Sequence, residues 1–372
     1  MRYITPLKRI LRNWIEYHFS NSPELFVNWA ITGRCNSRCI FCEAHEKLQK
    51  SEDLPMEAAM RVIEELVEME VKTVCFIGGE PLIRKDIWII IDRLAEKQIR
   101  PCLITNGLLL DRLEENQLRL LRRCDSSVTV SLDSANPEQN DAIRGVNSNY
   151  ERAVSGITKL RNAGINVVLS TVVMKENADQ IPALCKLTSQ LNVRRIVFQP
   201  ISHVPFFEGI DAKREKKTLG FTSEQELGRL RVAVDEGIKI SKLLNIETNL
   251  PLFKLWAIEY FRSRFDINDI RPRFFDKVMS GFACRVVQYR LFLDYDGSVK
   301  SCMLLPAVAN INQTSVREAW GKLRPLRKKF KKNGLLKICD NCFCNIEDNF
   351  IIGAVEHPIR NLRILMAILS GS

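Results

Sequence analysis

Short runs of apolar and β-branched residues alternate, over the first two hundred residues, with longer stretches whose apolar positions recur every three or four residues. The short runs predict strands, and the longer stretches, such as 56–69 and 150–163, predict helices that pack one face against a sheet. Such alternation favours right-handed βαβ units and a parallel sheet. The predicted strands are 26–31, 73–77, 101–105, 127–132, 165–173 and 195–199.

Six βαβ units would close only part of an eight-stranded barrel. The sequence therefore predicts an α/β fold, a partial (β/α)6 TIM-like barrel, followed by a small C-terminal α+β domain that contains a hairpin around Tyr295, Asp296 and Gly297. The predicted divisions are a basic amphipathic N-terminal helix over 1–25, the barrel core over 26–220, a helical connecting region over 221–283, the C-terminal domain over 284–349 and an apolar tail over 350–372.

Composition indicates a packed globular protein, since hydrophobic residues make up 46% and charged residues 27% of the 372 residues. The net charge of +11 favours anionic ligands or partners. Nucleic acid is the least favoured of these, because a solvated helix face explains the basic run 327–332. The chain shows neither a long apolar span nor a signal peptide, so we expect a cytoplasmic protein. In that reducing compartment the twelve cysteines favour metal or cluster ligation over disulfides.

Three cysteines, Cys35, Cys39 and Cys42, stand close together in the loop after the first predicted strand. Three thiolates on a four-iron cluster would leave one iron open, and an open iron can bind the amino and carboxylate groups of a ligand. The alternative is a zinc site, which needs four ligands and could recruit His45 as the fourth.

The segment 32–42 resembles the CxxxCxΦC motif of radical S-adenosylmethionine (SAM) enzymes, and Phe41 occupies the aromatic position. The resemblance implies a SAM-binding 4Fe-4S cluster on the three cysteines, with Phe41 near the SAM adenine. It also implies that the reduced cluster splits SAM to a 5′-deoxyadenosyl radical, which removes a hydrogen atom from the substrate.

Further segments at predicted strand ends resemble SAM-binding motifs of the same family. The turn formed by residues 78–81 is similar to the GGEP motif, which implies contact with the SAM amino group. Asn106, Asp133 and Arg144 are implied as SAM contacts too, although a turn, a helix cap and a surface ion pair would explain them as well. The expected SAM-binding residues are Phe41, Gly78, Gly79, Glu80, Pro81, Asn106, Ser131, Asp133, Arg144 and Ser170.

A second group of cysteines lies near the C-terminus, namely Cys284, Cys302, Cys339, Cys342 and Cys344. Four thiols can coordinate a cluster completely and so form an electron relay. Their spacing resembles the truncated SPASM, or twitch, domain of radical SAM enzymes, which implies an auxiliary 4Fe-4S cluster on the first four. Cys344 could replace Cys342 as a ligand, approach the substrate or do neither, and a zinc knuckle is the structural alternative.

Taken with this resemblance, the sequence predicts a radical SAM enzyme that oxidises, or forms a bond in, a small molecule or peptide. The implied electron donor is a one-electron reductant such as ferredoxin or flavodoxin. Two basic amphipathic ends, the first containing Trp14 and Phe19, suggest an alternative lipid or isoprenoid substrate and a position at the inner face of the membrane. Packing of the N-terminal helix against the barrel is the more common fate of such a helix and is the other interpretation. A zinc-stabilised binding protein without catalysis is the alternative from another class. No catalytic acid or base is identified; Arg290, Asp294, Asp296 and His203 are polar candidates.

Overall fold

The computed structural model describes residues 25–42, 52–202, 219–263, 284 and 286–333. The predicted N-terminal helix and C-terminal tail lie outside these ranges, as do His45, His203, Cys339, Cys342 and Cys344. The strands are β1 (Phe26–Thr32), β2 (Thr73–Gly78), β3 (Arg100–Thr105), β4 (Ser127–Ser131), β5 (Asn166–Val173), β6 (Arg195–Pro200), β7 (Glu247–Thr248), β8 (Arg290–Leu293), β9 (Ser298–Lys300) and β10 (Ala309–Asn310).

These strands form one ten-stranded sheet in the order β10-β9-β8-β1-β2-β3-β4-β5-β6-β7. All neighbours from β8 to β7 are parallel, whereas β9 and β10 pair antiparallel with β8 and β9 respectively. The parallel α/β architecture and the six predicted strands β1–β6 are confirmed. The count of six is too low, because β7 and β8 extend the parallel sheet at its two ends.

The connections between parallel strands are mostly helical, as the alternation predicts. The helices are α1 (Met56–Glu68), α2 (Ile87–Glu96), α3 (Glu115–Arg123), α4 (Pro137–Arg144), α5 (Asn149–Asn162), α6 (Ile181–Gln190), α7 (Glu224–Leu243), α8 (Leu250–Arg262), α9 (Val286–Tyr289), α10 (Val316–Lys322) and α11 (Arg324–Asn333). Short 3₁₀ turns occur at Pro81–Ile83, Leu110–Arg112 and Ala178–Gln180. Side-chain caps fix several helix starts; Asn136, for example, accepts a hydrogen bond from the backbone N–H of Gln139 at the start of α4.

Burial alternates along the strands and distinguishes the two faces of the sheet. On β4 and β5, Val128, Val130, Val167 and Leu169 are buried, whereas the residues between them are partly exposed. The buried set belongs to the main apolar core together with the helix residues that cover it, such as Ile157 and Leu160 of α5. The other set forms the inner face, which curves around the interior of the partial barrel.

The region predicted as a separate C-terminal domain is joined to the barrel through the sheet itself. Arg290 of β8 stands opposite Phe26 of β1, and the backbone N–H of Leu54 donates to Tyr295 O at 2.8 Å in the predicted hairpin. On the outside, Arg317 of α10 donates to Glu68 O at 2.9 Å at the end of α1. The domain boundary at residue 284 therefore stays a prediction, since β8, which follows this residue, belongs to the same sheet as β1.

None of the helices in the described ranges is both long and apolar enough to cross a membrane. The predicted membrane contact concerns the chain ends, which lie outside those ranges, and stays a prediction.

Candidate functional site

The loop that carries Cys35, Cys39 and Cys42 follows β1 at the carboxyl edge of the parallel sheet. Cys39 is buried, and the other two thiols are half-buried. The loop pairs with the end of α4, since the N–H of Arg38 donates to Arg144 O at 3.1 Å and that of Ile40 donates to Ile143 O at 3.0 Å. Sites in parallel α/β folds are built at this edge, so the position agrees with a functional loop.

Glycines at two turns make room for the backbone of this cysteine loop. A Cβ atom on Gly79 would stand 1.9 Å from Arg34 O, and one on Gly145 would stand 2.2 Å from Arg38 O. The contacts are reinforced by hydrogen bonds from Gly79 N to Thr32 O and from Glu80 N to Arg34 O, both at 2.8 Å. Gly145 also has a φ of +66°, which favours glycine at the end of α4. Side chains at these positions would displace the loop.

Polar groups surround the thiols of the cysteine loop. The N–H of Ser37 donates to Cys35 Sγ at 3.4 Å, Asn106 Nδ2 lies 3.8 Å from the same sulfur, and Arg144 Nη1 lies 3.8 Å from Cys39 Sγ. Burial raises the pKa of Cys35 to about 12 and that of Cys39 to about 11, although the Arg144 charge opposes the rise at Cys39. Both thiols are thus protonated at neutral pH, and metal binding would release their protons.

Three cysteine thiols in one loop are a donor set that suits a four-iron cluster with one open iron. Across the described ranges, no group of three His, Cys, Asp or Glu side chains is close enough to hold one ion. A zinc ion binds each sulfur at about 2.3 Å, whereas a cluster distributes its cysteine ligands over several irons. Ser37 is 2% exposed and its hydroxyl lacks a hydrogen-bond partner, so a cluster held by the loop could offer the acceptor that this hydroxyl lacks.

Glu80 lies behind the cysteine loop and is 1% exposed. Its carboxylate accepts hydrogen bonds from Thr105 Oγ1 at 2.8 Å, from Asn106 N at 2.7 Å and from Leu82 N at 3.1 Å. Burial raises the pKa of Glu80 to about 7, and these donors limit the rise. Glu80 therefore joins the ends of β2 and β3; its predicted contact with SAM stays a prediction.

A chain of asparagines, of which all but the exposed Asn36 are buried, links Asp133 to the cysteine loop. The N–H of Asp133 donates to Asn140 Oδ1 at 3.0 Å, and Asn140 Nδ2 donates to Asn149 Oδ1 at 2.9 Å. Asn149 Nδ2 then donates to Asn106 O at 3.2 Å, and Asn106 Nδ2 donates to Asn36 Oδ1 at 2.7 Å. Sequence reasoning found Asn106 but missed the other three, because no pattern in one chain pairs asparagines that far apart.

Asp133 and Arg144 form a buried ion pair, with 2.7 Å between Asp133 Oδ2 and Arg144 Nε. Burial alone would lower the pKa of Arg144, but the negative charge of Asp133 is the largest of the causes that raise it, and the net direction is upward, so the guanidinium stays charged. The guanidinium carbon also lies 5.5 Å from the centre of the Phe41 ring. The alternative of a surface pair is therefore wrong for Arg144. The alternative of a helix cap is wrong for Asp133 as well, because Asn136 caps α4.

The remaining predicted SAM contacts are divided between the turn and the inner face. Gly78 and buried Pro81 flank Gly79 and Glu80 at the end of β2. Ser131 and Ser170 stand opposite each other in register on β4 and β5, both partly exposed. The structure thus gathers these positions at the carboxyl half of the sheet, and their contact with SAM stays a prediction.

The polar candidates of the hairpin have structural partners. Asp294 forms an ion pair with Lys300 at 2.6 Å, and Asp296 accepts a hydrogen bond from the N–H of Ser298 at 2.9 Å. Both carboxylates therefore stabilise the turn between β8 and β9.

Two of the predicted auxiliary ligands are brought to one place. Cys284 and Cys302 both pack against a small apolar cluster formed by Val287, Leu305 and Phe330. The remaining cysteines of this group lie outside the described residues.

Comparison with protein families agrees with both cysteine groups. Residues 29–188 match the model of the radical SAM superfamily, and residues 284–343 match that of an iron-sulfur cluster-binding domain, SPASM. The first match contains the cysteine loop, and the second contains four of the five C-terminal cysteines. Neither the zinc-stabilised binding protein nor lipid modification is favoured by these matches.

Curated relatives match different portions of this chain. The Fe-coproporphyrin III synthase of Methanosarcina barkeri is 32% identical over 53% of this chain and 49% of its own length. The AdoMet-dependent heme synthase of the same organism is 26% identical over 87% of this chain and 89% of its own. The PqqA peptide cyclase of Granulibacter bethesdensis is 26% identical over 44% of each. The chain thus spans about half the length of two of these relatives.

Solved structures share the fold. The crystal structure of Streptococcus suis SuiB bound to S-adenosylmethionine superposes with a TM-score of 0.60, covering 91% of this chain and 76% of SuiB at 16% identity. At this identity the likeness concerns the fold alone.

The first prediction concerns the glycine turn. Gly79→Ala should displace the cysteine loop, because its Cβ would overlap Arg34 O. After anaerobic reconstitution with iron and sulfide, this variant should keep much less iron than the parent protein. Gly321→Ala in α10 is the control, since its Cβ would meet nothing within 4 Å, and it should load normally. Full iron loading of Gly79→Ala would contradict the contact.

The second prediction concerns the buried ion pair. Arg144→Leu should lower the free energy of unfolding of the metal-free protein by about 3–5 kcal/mol, because it leaves Asp133 buried without its counter-charge. Replacing both residues by Leu should recover most of this loss. Urea denaturation of the two variants measures the difference. A double variant as unstable as Arg144→Leu would show that the loss of stability does not come from the unpaired charge of Asp133.

Proposed function

Since the chain belongs to the radical SAM superfamily, we propose that it uses SAM to oxidise, or to form a bond in, a peptide or small-molecule substrate. Cys35, Cys39 and Cys42 would hold the SAM-binding 4Fe-4S cluster. When bound, this cluster supplies the electron that splits SAM into methionine and a 5′-deoxyadenosyl radical, which removes a hydrogen atom from the substrate. The observation that carries the proposal is the cysteine loop, held at the carboxyl edge of the sheet beside a buried, unpartnered Ser37 hydroxyl.

The residues around the loop have distinct proposed tasks. The turn at residues 78–81 fixes the position of the loop and faces the SAM amino group. Ser131 and Ser170, opposite each other on the inner face, offer hydroxyls to the SAM ribose or carboxylate. Arg144 keeps a positive charge 3.8 Å from Cys39 Sγ, which favours the thiolate that a cluster requires.

The C-terminal cysteines would complete the electron path. Cys284 and Cys302, with Cys339 and Cys342, would hold the auxiliary 4Fe-4S cluster, and Cys344 is the further candidate. A one-electron reductant such as ferredoxin or flavodoxin would supply the first electron, and the auxiliary cluster would accept the electron left on the substrate.

Two substrate classes have support. A peptide is favoured because the relatives include a peptide cyclase. A heme-type macrocycle is the second candidate, because the match with the AdoMet-dependent heme synthase covers 87% of this chain. Anaerobic turnover with cell extract separates them, since a peptide product shifts in mass whereas a macrocycle product changes the visible absorption spectrum.

The third prediction is that reconstituted protein with dithionite cleaves SAM to 5′-deoxyadenosine and methionine. Replacing Cys35, Cys39 and Cys42 by Ala should abolish cleavage, because the ligands of the open-iron cluster are removed. Replacing Cys284 and Cys302 by Ala is the matched control: total iron should fall from about eight to about four per chain, while SAM cleavage persists and product formation stops.

Undiminished cleavage in the triple variant would sink the assignment of the first site. Iron near about four in the parent protein together with stoichiometric zinc would show that the C-terminal cysteines form a zinc knuckle instead.

A further inference from the structure

The helix α11 packs its apolar side against the region of the auxiliary cysteines. This side carries Leu326 and Phe330, which are one helical turn apart. Phe330 is 2% exposed and belongs to the small apolar cluster on which Cys284 and Cys302 also pack. A helix with its side chains is about 10–12 Å across. A partner on the outer side of α11 would therefore lie about one helix diameter from the cluster that these two thiols contact.

The exposed surface of α11 is positively charged. Arg324, Lys328 and Lys329 are all exposed, and we call these three residues the basic face. None of the three forms an ion pair within the part of the chain that the structure describes. Arg324 and Lys328 are one turn apart, where like charges destabilise a helix. Attraction to the helix dipole does not explain Lys328 and Lys329, because that effect is confined to the last turn and α11 continues to Asn333.

Arg327 fixes the orientation of the basic face. Its guanidinium carbon lies 3.9 Å from the centre of the Trp320 ring, and its Nη1 donates to Trp320 O at 3.0 Å, so α11 is joined to α10. The carbonyl oxygen of Arg327 accepts a hydrogen bond from Gln288 Nε2 at 3.0 Å, which joins α11 to α9, the helix that begins two residues after Cys284. The basic face is thus a preformed surface with a defined position relative to the auxiliary cysteines.

Among anionic partners, an acidic protein fits this surface best. A helix that lies in a membrane interface turns its apolar side to the lipid, whereas Leu326 and Phe330 pack into the protein. Surfaces that bind single-stranded nucleic acid combine positive charge with aromatic rings on which bases stack, whereas one face of the Trp320 ring is already covered by Arg327. A rigid basic surface without exposed apolar residues favours a partner that is recognised by charge complementarity.

We propose that the basic face of α11 docks an acidic one-electron carrier protein, which collects the electron that the substrate leaves at the auxiliary site. The inference rests on the proposed function and deepens it, because it names the partner and its binding surface. The electron count balances: the substrate radical loses one electron, and the docked carrier, which arrives oxidised, leaves reduced by one electron. The position of the basic face, on the helix that covers Cys284 and Cys302, makes this transfer short.

Binding of oxidised flavodoxin, an acidic one-electron carrier, tests the basic face. Isothermal titration calorimetry on the full-length, cluster-loaded protein should show an affinity that falls as salt is added. The triple variant Arg324→Gln, Lys328→Gln and Lys329→Gln should bind roughly tenfold more weakly, as the loss of three exposed ion pairs predicts. The matched control is the triple variant on α7, listed here: Arg231→Gln, Lys239→Gln and Lys242→Gln. It removes the same charge from exposed positions and should bind as the parent protein does.

Cross-linking locates the contact. A water-soluble carbodiimide joins lysine amines to carboxylates that touch them, so mass spectrometry of the cross-linked complex should find Lys328 or Lys329 joined to a flavodoxin carboxylate. Cross-links confined to other lysines would overturn the proposal, as would equal weakening by the two triple variants, which would show a response to net charge alone.

Further measurements separate docking from other roles of the basic face. The Tm of the α11 triple variant should stay near that of the parent protein, because the three side chains are exposed; a large loss of Tm would show a structural role instead. Binding of a single-stranded RNA oligonucleotide in place of flavodoxin would show a nucleic-acid surface and overturn the proposal. SAM cleavage with dithionite is assayed in the parent protein: its absence refutes the proposed function, whereas normal cleavage without flavodoxin binding refutes only the docking surface.

Discussion

Close contact between the cysteine loop and two glycine turns is the constraint on which the site depends. Arg34 O and Arg38 O occupy the space where side chains of Gly79 and Gly145 would stand. Because the loop is fixed at both places, its thiols remain at the carboxyl edge of the sheet while two of them are desolvated. The same contacts bring α4 against the loop, which is what places Arg144 beside Cys39.

Behind the loop, buried polar groups are joined into one connected set. Asp133 pairs with Arg144, Glu80 accepts three hydrogen bonds, and asparagines continue the chain to Asn36. Burying these groups is costly unless each finds a partner, so the set favours a single arrangement of the strand ends. Several buried polar atoms in the described ranges lack a hydrogen-bond partner, and the Ser37 hydroxyl is the one that lies in the cysteine loop between Cys35 and Cys39. We assign this hydroxyl to the cluster.

The sequence predicts the strands β1–β6 and the cysteine loop well, because periodicity and local cysteine spacing are properties of short segments. It does not predict β7, whose two residues are too few to form a pattern, nor that β8 joins β1 across more than 250 residues of chain. The asparagine chain and the burial of Arg144 were also out of reach, since both depend on contacts between distant segments. Ser131 and Ser170 are predicted from their positions on the strands and from the resemblance to the family.

The central claim is that the cluster on Cys35, Cys39 and Cys42 leaves one iron open, and that SAM binds there through its amino and carboxylate groups. Electron–nuclear double resonance on the reduced protein, with SAM labelled by ¹⁵N at the amino group, tests it most directly. Our account predicts a ¹⁵N hyperfine coupling to the reduced cluster that persists when Cys284 and Cys302 are replaced by Ala. A reduced cluster that shows no ¹⁵N coupling in the presence of saturating labelled SAM would contradict it.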